Sequence, residues 1–153
     1  MESINKPDNI KIYLDNCCLN RPFDDQTQLR IELEAKAKLK IQDEIQRGNL
    51  VLVWSYILDY ENSRNPFEDR KKQIYKWKQI SSICLQESKD IITIASKLNK
   101  MGIKKYDALH IACAITSNCD YFLTTDDKVL KKAKLIEAVR IIDPFGFIKE
   151  IQL

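Results

Sequence analysis

Four acids in this chain, Asp15, Glu61, Asp107 and Asp126, stand where a parallel sheet would deliver them to one edge. Asp15 directly follows the run Ile10-Lys11-Ile12-Tyr13-Leu14, and Asp126 follows Tyr121-Phe122-Leu123-Thr124-Thr125. Residues just beyond parallel strands share the C-terminal edge of the sheet, where open α/β folds place their chemistry. Asp107 opens a helix two elements after a strand, and Glu61 closes a short helix after the strand Leu50–Trp54. Such a cluster is unfavourable by itself, since two carboxylates about 4 Å apart repel by roughly 4 kcal/mol at an effective dielectric near 20. A hard divalent cation removes that repulsion, and Mg2+ or Mn2+ takes oxygen ligands while keeping several waters. A carboxylate-held metal pair can activate water and stabilise a leaving oxygen, so the chemistry that fits is metal-assisted hydrolysis of a phosphate ester.

The elements that must position these acids are readable from hydrophobic spacing. Residues before Ile10 read as a frayed start, and Ile10, Ile12 and Leu14 alternate with Lys11 and Tyr13 as in a strand. After Asp15, the stretch Asn16-Cys17-Cys18-Leu19-Asn20-Arg21-Pro22 reads as a loop with a proline stop. Gln26 to Arg47 reads as a long amphipathic helix on Leu29, Leu33, Ala37, Ile41 and Ile45, ended by Gly48-Asn49. Leu50–Trp54 is apolar throughout, as a strand buried on both faces would be. Ser55 caps a short helix through Glu61, and a helix restarts near Asn65-Pro66, with Pro66 near its first position, and continues to Ile80.

Ser82–Leu85 is a weaker strand, and Ser88 to Gly102 a helix on Ile91, Ile92, Ala95 and Leu98. Tyr106–Thr116 forms a compact helix, Tyr121–Thr124 a strand, Lys128–Leu135 a basic helix, and Val139–Ile142 a last strand before Asp143-Pro144. Strands alternating with helices predict a parallel sheet covered on both faces, with right-handed crossovers.

At 153 residues, with 44% hydrophobic and 31% charged residues, the chain fits one globular domain with a core. No apolar run approaches the roughly 20 residues needed to span a bilayer, so contact with the membrane is not expected. Met1-Glu2-Ser3-Ile4-Asn5-Lys6-Pro7 has no apolar signal-peptide core, and cytoplasmic location is expected. The five cysteines show no metal-ligand spacing and read as reduced thiols, several filling core space. Adjacent Cys17 and Cys18 lack the spacing of a redox motif and read as loop thiols. A net charge of +3 permits contact with nucleic acid without requiring it.

Leu14-Asp15, Glu61, the helix Tyr106-Asp107-Ala108-Leu109-His110-Ile111-Ala112 and the turn Leu123-Thr124-Thr125-Asp126 together resemble the motifs of the PIN domain family, in order and at suitable separations. The resemblance runs from about Ile10 to Ile148, and its most specific piece is the Asp-Ala-Leu-His-Ile-Ala helix followed by Leu-Thr-Thr-Asp. It implies a three-layer α/β/α sandwich on a central parallel sheet and a Mg2+- or Mn2+-dependent ribonuclease. Members of the VapC type are toxins held in check by an antitoxin, and dimers are common. By this resemblance Asp15, Asp107 and Asp126 hold metal and Glu61 completes the catalytic set. Thr124 supplies a supporting hydroxyl, with Asn16 and Asp127 as further supporting candidates. The residues after Asp15 depart from the family pattern, because Asn16-Cys17-Cys18 stands where a small residue and then Ser or Thr are usual.

Two assignments stay open at this level. Asp126 and Asp127 are neighbours, and the motif frame favours Asp126, leaving Asp127 as a helix cap or outer group. Glu61 and Asp59, two positions apart on a helix, cannot both face the crevice. His110, the only histidine, reads as a residue that packs on the sheet or bonds a neighbour rather than a base. Arg21, Arg64, Lys104, Lys105, Lys128 and Lys131 are candidate RNA contacts, Lys128 and Lys131 within a basic run that includes Lys132 and Lys134. Trp54, Trp77 and Tyr60 read as core or groove packing. A PIN fold serving as a catalytically silent RNA-binding or protein-interaction module is the alternative reading. A haloacid-dehalogenase-like phosphatase using Asp15 would need a second Asp where Cys17 stands.

Overall fold

The computed structural model describes residues 9–21, 25 and 27–153. Five parallel strands form one sheet: β1 (Ile10–Leu14), β2 (Leu50–Ser55), β3 (Ile83–Leu85), β4 (Tyr121–Leu123) and β5 (Arg140–Ile142). Their order across the sheet is β3-β2-β1-β4-β5. From central β1 the chain therefore builds outward through β2 and β3, then returns to β1's other side for β4 and β5. The reversal falls between β1 and β4, and a crevice opens at such a switch point, outside the strands' C-terminal ends.

Eight helices complete the sandwich among the described residues: α1 (Asn16–Asn20), α2 (Leu29–Gln46), α3 (Tyr56–Ser63), α4 (Glu68–Ile80), α5 (Lys89–Lys100), α6 (Lys105–Thr116), α7 (Asp127–Lys131) and α8 (Pro144–Ile151). They flank the sheet, α5 packing on α6 and α2 on α8. Ser55 and Ser88 cap α3 and α5 by accepting from the backbone N–H of Leu58 and Ile91. The core includes Ile12, Tyr13, Leu14, Leu52, Trp54, Ile111 and Phe122. Cys113 and Cys119 fill core space as expected, Cys18 is buried in the core instead of standing in a loop, and all five thiols are free.

Several expectations need correction. The stretch after Asp15 is not a loop but the short helix α1, nucleated because Asp15 caps it. A final helix, α8, follows β5, with Asp143 as cap and Pro144 in its first turn. The long helix α2 starts at Leu29, and Gln26 lies outside the described residues, as does Pro22. Its Leu29 and Leu33 are exposed, not core. A strict four-residue repeat drifts roughly 40° per step on a helix of 3.6 residues per turn, so Leu29 points nearly away from buried Ile45. Glu34 and Lys38 turn inward instead. Helix α4 begins at Glu68, so Pro66 precedes it rather than opening it. The basic helix is two pieces, α7 and a 3-10 turn at Ala133–Leu135.

Candidate active site

Asp15 and Asp126 emerge beside each other at the switch point because β1 and β4 are in register, Leu14 opposite Leu123. The Asp15 N–H donates to Leu123 O at 3.2 Å, which carries the pairing one residue past the strand. The Asp15 side chain is buried and accepts from Cys18 N at 3.0 Å. Burial pushes its carboxyl up to about 6, against hydrogen bonds from Thr124 and Cys18 that favour the anion. Thr124, fully buried, also accepts from Asp126 N at 3.1 Å, so one hydroxyl ties the two acids' loops together. Asp126 caps α7, its Oδ1 accepting from Lys128 N at 2.9 Å.

Asp107, half-buried in the first turn of α6, has a raised pKa, chiefly from desolvation and then from the charge of Asp126, with Glu61 adding to it. Glu61, near the end of α3, meets His110 Nε2 at 2.5 Å. His110 Nδ1 in turn meets the Tyr13 hydroxyl at 2.6 Å, and that hydroxyl meets Ser55 Oγ at 2.6 Å. The Cys17 thiol shows that the four acids share one neighbourhood. Although the residue stands at the surface, surrounding protein desolvates its sulfur, and Asp15, Asp126, Asp107 and Glu61 then push it further, to about 12.

The donor set is all oxygen and suits a hard cation such as Mg2+ or Mn2+. No three His, Cys, Asp or Glu side chains among the described residues are close enough to enclose an ion unaided.

The remaining candidates separate clearly. Asp127 points away from the crevice, bound by Arg30 Nη1 and Nη2 at 2.9 and 2.8 Å. Asp59 accepts from Trp54 Nε1 at 2.9 Å and Lys78 Nζ at 3.0 Å, which leaves Glu61 as the acid of α3 that faces Asp107. Asn16 accepts from Asn20 Nδ2 at 3.1 Å and lines a shallow cavity with Arg21 and Asp126. Arg21 donates to buried Glu34 at 3.0 Å. Lys104, Lys128 and Lys131, with Lys132, wall a cavity of about 370 Å³ that reaches Asp107 over an apolar floor of Ile103, Val129 and Leu135. Arg64 and Lys105 lie instead beside Tyr60 and Tyr106. Tyr60 is exposed, correcting its reading as packing, whereas Trp54 and Trp77 are buried as expected.

Sequence reasoning missed Tyr13 as the partner of His110 and Ser55 as the partner of Tyr13. The signal was present: a tyrosine in a strand buried on both faces must find a partner for its hydroxyl.

A model of the PIN domain family matches residues 12–135. The chain belongs to the PIN domain family. Its fold is also similar to a chain of the VapBC2 complex of Rickettsia felis, solved bound to a DNA fragment from their promoter. That likeness has a TM-score of 0.55 and 15% identity, and covers 88% of this chain and 98% of that one. At that identity it speaks for the fold. No curated protein matches the chain. In this PIN domain no described helix is long and apolar enough to cross a membrane.

Proposed function

We propose that this PIN domain, a single domain with its core at about residues 10–148, is a Mg2+- or Mn2+-dependent ribonuclease that hydrolyses phosphodiester bonds. The observation that carries the reading is the convergence of Asp15, Glu61, Asp107 and Asp126 on the Cys17 thiol at the β1/β4 switch point. Asp15, Asp107 and Asp126 would hold the cation, one or two of them directly and the rest through its waters, and when bound it would neutralise their charge and make water a stronger nucleophile. Thr124 fixes the Asp15 carboxylate by hydrogen bonding, and its acceptance from Asp126 N sets the spacing of the two loops. Glu61, held by His110, would orient a water and take its proton. The lysines of the adjoining cavity would meet the RNA backbone.

The family and the fold likeness to a VapBC2 chain support assignment as the toxin of a toxin–antitoxin pair, acting in the cytoplasm. An antitoxin protein and a second copy of the chain would be its partners. The separation of the donors, with no three enclosing an ion, favours one competing reading, a PIN module that binds RNA or protein without cutting. Incubation of the purified protein with RNA decides between them. Cleavage that requires Mg2+ or Mn2+ and is lost in Asp15→Asn and Asp107→Asn supports the nuclease. RNA binding with no cleavage at any metal concentration supports the silent module.

A further inference from the structure

The tyrosines immediately before two of the site acids are exposed and face each other. Tyr60 precedes Glu61 and Tyr106 precedes Asp107. Their rings stack with centroids 5.8 Å apart and planes 25° apart. Each residue nevertheless keeps about two fifths of its surface open, 42% for Tyr60 and 40% for Tyr106. Cations border the pair: Arg64 Nη1 donates to the Tyr60 hydroxyl at 3.0 Å, and Lys105 Nζ stands 5.8 Å from the Tyr106 ring centre.

Helix geometry sets this aromatic pair apart from the lysine-walled cavity. At roughly 100° per residue, Tyr106 lies to one side of Asp107 and Lys104 to the other. The cavity accordingly takes in Lys104 and Asp107, while Tyr106 turns to Tyr60. A strand crossing Asp107 would meet lysines on one side and two tyrosines on the other.

We propose that Tyr60 and Tyr106 form a stacking platform for an unpaired nucleobase of single-stranded RNA, with Arg64 and Lys105 meeting the backbone beside it. Every base has a π-face, so the platform reads strandedness rather than sequence. A base within a duplex is already stacked and must be unpaired before it can reach the rings. The placement beside the scissile phosphate rests on the ribonuclease reading, but the binding itself can be measured without cleavage.

The test is equilibrium binding of a short RNA carrying 2-aminopurine, single-stranded or annealed to its complement. It is measured in chelator, and again with Mg2+ on an Asp15→Asn background. Unmutated tyrosines are expected to favour the single strand and quench the 2-aminopurine. The double variant Tyr60→Leu/Tyr106→Leu should lose roughly tenfold to a hundredfold in single-strand affinity, together with the quench, at unchanged duplex affinity. Tyr60→Phe/Tyr106→Phe keeps the rings and should stay within about twofold. Circular dichroism verifies that both variants fold. The proposal is overturned if the parent protein binds no single strand, or if the leucine variant binds it equally well. It is also overturned if that variant loses single strand and duplex alike, or keeps RNA affinity while changing oligomeric state. Absence of cleavage at any metal would defeat the ribonuclease reading and leave this binding result standing.

Discussion

His110 Nε2 lies 2.5 Å from Glu61 Oε1, and this contact is the outer end of a buried chain that begins at Ser55, the cap of the helix carrying Glu61. Ser55 caps α3 and meets Tyr13, Tyr13 meets His110, and His110 returns to Glu61 on the same helix. Burial keeps the Tyr13 hydroxyl protonated. The 2.5 Å contact with the carboxylate calls for a proton on Nε2, and Nδ1 and the Tyr13 hydroxyl share the next one. Tyr13→Phe should therefore preserve the ring, including its stacking on Phe122 at 5.5 Å, yet leave Nδ1 and Ser55 Oγ short of a partner. The expected loss is about 1–3 kcal/mol of stability by denaturant titration, with a fall in RNA cleavage rate larger than any fall in RNA affinity.

Asp15 gives the metal-free protein a pH dependence with a definite sign. Its carboxyl is raised from 3.8 to about 6 by burial. Below about pH 4 the group is protonated in both folded and unfolded chains, and the fold is not penalised. Between about 4 and 6 only the unfolded chain ionises, so stability falls as pH rises, by about 3 kcal/mol in all. Asp15→Asn keeps the oxygen that caps α1 and removes the charge. Measured in chelator, its stability advantage over the parent should be absent near pH 4 and complete by about pH 6.5. An advantage that does not change with pH would contradict the buried anion.

Asp107 adds a weaker version of the same effect, because it is half-buried and pushed up by Asp126 and Glu61 after desolvation. Asp107→Asn should raise the melting temperature of the metal-free protein. An unchanged or lowered melting temperature in chelator would mean that the acids do not crowd one another.

Lys38 makes the opposite case. Burial holds its ammonium down to about 7 from 10.5, although it sits 4.1 Å from the Trp77 ring centre, an arrangement that favours the cation. Among the described residues its ammonium donates to Leu19 O at a long 3.4 Å. The charged form is therefore penalised at low pH, and stability rises as pH climbs from about 7 towards 10.5. Lys38→Met should raise the denaturation midpoint at pH 6, and its advantage should shrink above pH 7.

Much of this layout is legible in the residues because parallel sheets obey strong rules. Alternation marked β1 and a continuous apolar run marked β2, and an acid just past β1 and β4 had to arrive at the shared edge. Local caps were as informative where one was read, at Ser55, and as costly where they were not. Asp15 accepting from Cys18 N is the same N-cap signal, and it accounts for α1. Asp143 followed by Pro144 signals α8 just as directly.

Tertiary detail was less legible, since it depends on which face of a helix turns inward. Glu34 and Lys38 carry charge and look solvated in sequence, yet α2 rotates them inward and leaves Leu29 outside. The pairing of Glu61 with His110 joins residues 49 positions apart and has no local signature. Tyr60 and Tyr106 look like packing residues until their exposure and mutual stacking are seen.

Asp15, Glu61, Asp107 and Asp126 are proposed to form one site for a hard divalent cation. Thermal unfolding of the protein across a Mn2+ titration tests it most directly, with Asp15→Asn and Asp107→Asn alongside. The melting temperature of the parent chain should climb with Mn2+ from its chelator value, as mass action on a native-state site requires, and both variants should start higher and respond weakly or not at all. A parent protein indifferent to Mn2+, or variants that respond as strongly as the parent, would contradict it.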